Sequence, residues 1–124
     1  MSFRRRFVRA MLVLAALLPA LTVCASESTP PPSDAAAMYK SWGCWVCHGA
    51  DRKGGANAPS LVGLGSRWTV ETLSGYILDP ARWRESDARI RKLAEQYPKL
   101  TMPPTKKPES ERRALAAWLL SPGH

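Results

Sequence analysis

Five consecutive residues, Cys44-Trp45-Val46-Cys47-His48, constrain this chain of 124 residues more than any other stretch. In a helix, Cys44 and Cys47 are one turn apart, so both thiols face the same way, and His48 follows at once. Three ordinary readings compete. A structural zinc site needs four ligands. Beyond these three the chain offers only the terminal His124 and, at most, Cys24, at no finger-like spacing. A thiol oxidoreductase sets its cysteines at a helix N-terminus after a strand in a βαβ unit, whereas these are predicted to end a helix. A plain disulfide leaves His48 without a task.

The reading that uses all three side chains is covalent capture of a haem. The two thiols form thioethers with two vinyl groups on one edge of the porphyrin, and the imidazole binds the iron as proximal ligand. Size agrees with a built-in cofactor. Once the N-terminal segment is set aside about a hundred residues remain, enough for one domain but thin for an all-protein core.

That N-terminal segment carries Arg4, Arg5, Arg6 and Arg9, then fourteen apolar-rich residues from Ala10 to Val23. Spanning a bilayer takes ~20 residues, so residues 1–25 read as an export signal. Val23-Cys24-Ala25 fits a cleavage site before Ser26. Leu21-Thr22-Val23-Cys24 can alternatively be a lipoprotein box that leaves Cys24 as a lipid anchor, although Val23 is bulky for that role. Arg4-Arg5-Arg6-Phe7 also looks like a twin-arginine signal, but this kind of cofactor is attached to an unfolded exported chain. The expected location is the bacterial periplasm, free or membrane-anchored. From Ser26 onward fourteen Lys and Arg face ten Asp and Glu, a net +4 against +8 for the whole chain. No basic stripe interleaved with aromatics is present, so nucleic acid is not an expected partner.

Residues 26–33, with Pro30-Pro31-Pro32, read as an extended tether. The domain proper is expected over 34–121. Ser33 and Asp34 open a helix with Ala35, Met38, Tyr39, Trp42 and Val46 at helical spacing, running into the cysteines. From Gly49 to Gly65 there is no periodicity; a loop this long in a small domain usually wraps something functional. Thr69 caps a second helix ended by Asp79-Pro80. Ser86 is expected to cap a third, with Ile90, Leu93, Ala94 and Tyr97 inward, stopped by Pro98. Pro108 opens the last, with Leu115, Trp118 and Leu119 buried. With no period-two pattern in view, the class is all-α: about four helices and long loops.

A second iron ligand must come from far along the chain. His124 sits at the end, Met1 and Met11 lie in the export segment, and Met38 is on the proximal helix, which leaves Met102. In Thr101-Met102-Pro103-Pro104 two prolines stiffen the loop that would hold a weak thioether donor.

From Ala35 to Leu120 the sequence resembles the class I monohaem c-type cytochromes. A helix into C-x-x-C-H, a Gly-rich loop with Ala58-Pro59-Ser60-Leu61, connecting helices, a Met-Pro loop and a closing helix with Trp118 occur in the family's order. The resemblance implies one covalently bound haem c, a Pro59 carbonyl that orients His48 through Nδ1, and a first helix crossing the last through Tyr39 or Ala36 with Leu115 and Trp118. It also implies conformational tasks for Gly54, Gly55, Gly63 and Gly65, and a place near a haem propionate for Arg67 and Trp68. Tyr76 and Trp83 read as core. A lysine-dense ring like that of the soluble shuttle cytochromes is missing.

His/Met ligation would fill both axial sites, which favours single-electron transfer over catalysis. The expected protein is a carrier serving a dehydrogenase, an oxidase or another cytochrome. The alternative is a permanent haem subunit of a periplasmic dehydrogenase complex.

Overall fold

The computed structural model describes residues 32–99 and 101–122. The export signal, Cys24, the tether up to Pro31 and His124 lie outside the described residues. The elements are α1 (Pro32–Ser41), α2 (Cys44–His48), a 3-10 turn (Leu64–Ser66), α3 (Val70–Leu78), α4 (Pro80–Ser86), α5 (Ala88–Gln96) and α6 (Glu109–Leu120). The architecture is all-α, with no strand among the described residues.

Among the described residues six helices stand where about four were expected, and two local causes account for the difference. First, the helix predicted to run into the cysteines breaks at Trp42-Gly43. Gly43 has φ 76°, a left-handed conformation that an L side chain adopts only at a cost, and α2 starts afresh after it. The cysteines therefore sit on their own short helix, Cys44 at its first position, rather than at the end of a long one. Second, Pro80 both terminates α3 and opens α4, because a missing N–H costs nothing in a first turn. The Asp79 carboxylate accepts from the Arg82 N–H at 3.1 Å and caps α4.

The cap expected at Ser86 belongs to its neighbour. Asp87 Oδ1 accepts from the N–H groups of Arg89 and Ile90 at 2.8 and 3.4 Å, while the Ser86 hydroxyl donates back to the Arg82 carbonyl inside α4. A carboxylate at a helix N-terminus gains from the dipole as well as from the hydrogen bond, and so outcompetes the hydroxyl. At α3 the expected cap holds: Thr69 accepts from the Thr72 N–H, and the Thr72 hydroxyl accepts in return from the Thr69 N–H. At α6, Pro108 is the cap residue and Glu109 the first helical one.

Helix α6 is the hub on which α1 and α3 both pack. The core joins Tyr39, Leu64, Leu73, Ile77, Leu115, Ala116 and Leu119. Ala35 and Ala116 are both fully buried, and residues this small let helices approach closely. At the crossing of α1 and α6 the rings of Tyr39 and Trp118 lie 5.6 Å apart at 49°. Burying a leucine such as Leu115 contributes roughly 2–3 kcal/mol.

A second aromatic cluster ties α3, α4 and α5 together. Trp68 meets Tyr76 and Trp83 at centroid distances of 5.2 and 5.6 Å, and the Arg89 guanidinium covers its other approach at 4.6 Å. The irregular chain carrying Met102 is fastened to α3 where the Thr105 N–H donates to the Ile77 carbonyl at 2.9 Å.

Candidate cofactor site

The left-handed turn at Gly43 sets the direction in which α2 leaves α1. Cys44 and Cys47 are free thiols; Cys44 is half-buried against the core and Cys47 exposed. Burial raises the Cys44 thiol above its ordinary range, and the neighbouring Cys47 adds to this. A thiol oxidoreductase needs the opposite, a thiol shifted down into the thiolate form. No group of three or more metal-binding His, Cys, Asp or Glu side chains comes together among the described residues.

His48 closes α2, and Gly49 after it turns with φ 81°. Its Nδ1 lies 2.9 Å from the Pro59 carbonyl oxygen. A carbonyl can only accept, so Nδ1 carries the proton and Nε2 keeps the lone pair a metal needs. Burial lowers the pKa of His48, with the Pro59 carbonyl partly opposing it. The imidazole is thus neutral in its metal-binding form.

The loop from Gly49 to Leu61 exists to bring that carbonyl back. The Gly54 N–H donates to the His48 carbonyl at 2.9 Å, Gly55 N–H to Ala58 at 2.9 Å, and Leu61 N–H to Arg52 at 2.8 Å. Gly54 has φ 74°, and a Cβ there would stand 2.6 Å from Ala58 O, Pro59 C and Ser60 N. Only a glycine lets the chain pass beneath Pro59. From the other side the Tyr39 hydroxyl donates to the Gly49 carbonyl at 2.7 Å.

Of the other expected glycines, Gly63 has a positive φ, Gly65 approaches the Leu120 carbonyl, and Gly55 shows neither property. Met102 is half-buried and packs against the same core that Cys44 and Leu61 flank. The structure thus sets Cys44 and Met102 against one core and, separately, holds His48 against Pro59. Arg67 is exposed, and its carbonyl accepts from Arg89 Nη1 at 2.7 Å; Trp68 is taken up by the aromatic cluster.

Sequence reading missed Gly43, Tyr39 as a hydrogen-bond donor, and Arg52. A glycine immediately before the first cysteine, inside an otherwise helical run, is a signal that could have revealed the break. Nothing in the sequence marks Arg52, which reads as a solvated loop cation yet is only 6% exposed.

This is an all-α protein whose site presents two free thiols one turn apart and an oriented imidazole. The chain matches the Cytochrome c family model over residues 33–122, and it belongs to the cytochrome c family. No curated protein and no solved structure matched the chain. The family is one of haem-based electron-transfer proteins, and its cofactor is haem c, covalently attached and containing iron.

The residues present fit that group. The thiols are unbridged, His48 Nε2 is unprotonated, and Met102, Leu61, Trp68 and Tyr76 leave part of their apolar surface uncovered beside the core. The Arg84 Nε is buried with no partner among the described residues, a donor suited to an acidic group.

Proposed function

We propose that this chain is an exported single-electron carrier. In it Cys44 and Cys47 would form the thioethers, His48 and Met102 would hold the iron, and Pro59 orients His48. The observation that carries the reading is the 2.9 Å contact between His48 Nδ1 and the Pro59 carbonyl. It assigns the tautomer, fixes the ring plane and makes the imidazole a stronger donor.

A bound haem would supply a one-electron couple, and donation from a methionine together with a histidine would set that couple at higher potential. The protein's own part is positional. Gly43 aims α2, the Gly54 turn brings Pro59 under His48, and the Thr105–Ile77 bond together with Pro103 and Pro104 restrains Met102. Ligands held this firmly move little between oxidation states, which keeps the barrier to electron transfer low. Partners are other redox proteins. Export through residues 1–25 places the carrier in the bacterial periplasm, with Cys24 as a membrane anchor if it is lipidated.

The test is retention of the cofactor in denatured protein. Thioethers survive unfolding, so one haem should remain, seen as a mass increment and as peroxidase staining in a denaturing gel. Cys44→Ala or Cys47→Ala should leave one link and poor maturation. Loss of all haem from the parent on acid extraction would remove Cys44 and Cys47 from this role.

A further inference from the structure

Arg52 is the one non-glycine residue with positive φ among the described residues, at 62°. It is also buried, at 6% exposure. Either property alone is unfavourable for an arginine. A left-handed backbone crowds its Cβ, and burial takes charge away from water. Both persist only where the surroundings over-determine them.

Those surroundings are specific. The Arg52 guanidinium carbon lies 4.7 Å from the centroid of the Trp118 ring on α6, a stacking geometry that offsets lost hydration. The Arg52 N–H donates at 3.2 Å to the Gly49 carbonyl, the same oxygen that receives the Tyr39 hydroxyl. Its own carbonyl accepts from the Leu61 N–H at 2.8 Å and from the Ser60 hydroxyl at 3.4 Å. Arg52 therefore touches the residue after His48, the two residues after Pro59, and the closing helix.

We propose that Arg52 is a positioning residue for His48: stacked on Trp118, it clamps the Gly49–Leu61 loop to α6 and so holds the Pro59 carbonyl against the His48 imidazole. The inference rests on the reading of His48 as the proximal ligand. It gives the left-handed φ a purpose, because at that turn the side chain reaches the Trp118 ring on α6 while both of its peptide groups bond within the loop.

The test is NMR of the haem-loaded protein in its ferrous form, comparing the parent with Arg52→Gly, which tolerates the left-handed φ and removes the clamp. The readout is solvent exchange of the His48 Nδ1 proton, with the backbone amide of Ile90 in the remote helix α5 as reference. The expected result is faster exchange of the Nδ1 proton by about tenfold or more, since exchange reports local opening, with the Ile90 amide unchanged. Unchanged Nδ1 exchange overturns the proposal, including the case in which only the redox potential falls from loss of a cation. Equal acceleration at both sites also overturns it, because Arg52 would then serve global stability alone. Failure of the underlying reading is separate and visible in the parent: its spectrum would lack the shifted ring protons of an iron-bound histidine.

Discussion

His48 and Pro59 stand eleven residues apart in the chain and 2.9 Å apart in space, imidazole Nδ1 to carbonyl oxygen. The contact depends on Gly54, where the chain passes beneath the proline with no room for a side chain. Gly54→Ala must push Ala58, Pro59 and Ser60 away, and all three obstructing atoms are backbone. A loss of about 2–4 kcal/mol is expected in denaturant unfolding. The redox potential should rise at the same time, because a weakened bond to Pro59 makes His48 a poorer donor to the ferric state. A variant with unaltered potential would show that this loop does not tune His48.

Tyr39 makes stability depend on pH at the alkaline end. Burial raises its phenol from 10.0 to about 12, with Arg52 opposing the shift. The unfolded chain gives up this proton near pH 10 and the folded protein near pH 12. The contribution is therefore complete below pH 10 and is lost as the pH rises toward 12. Tyr39→Phe should remove that part of the slope. At neutral pH it should cost about 1–2 kcal/mol, since the Gly49 carbonyl loses its 2.7 Å donor. Urea titrations of both proteins from pH 7 to 11.5 or so give the comparison.

Two adjacent residues separate the two possible caps of α5. Asp87→Ala should cost about 1 kcal/mol, because two N–H groups lose their acceptor. Ser86→Ala removes only a hydroxyl that bonds back into α4 and should cost less than about 0.5 kcal/mol. Thermal unfolding of the two variants side by side decides it.

Elements whose signal is periodic were legible in the sequence. Leu73 and Ile77 mark the buried side of α3, and Leu115 and Leu119 that of α6. The all-α class and the haem family followed from such patterns and from the cysteine motif. Reading failed where one residue serves two neighbours. Asp79-Pro80 predicts the end of α3, but a proline is equally a good first residue, and the same signal also opens α4. Ser86 and Asp87 both can cap, and the sequence alone does not rank them; the helix dipole does. Arg52 was invisible for another reason. Its burial comes from Trp118, sixty-six residues away, and no local pattern encodes a contact of that range.

Met102 separates a closed electron carrier from an open haem enzyme, so its ligation is the most direct measurement of the central claim. A ferric haem with methionine sulfur as axial ligand has a weak charge-transfer absorption toward the red end of the visible spectrum. The expected result is that band in the native protein, slow binding of carbon monoxide to the ferrous form, and, in Met102→Ala, loss of the band, fast carbon monoxide binding and a lower potential with the haem still attached. A parent that lacks the sulfur band and binds carbon monoxide readily would contradict His48/Met102 ligation and, with it, the assignment of this chain as an electron carrier.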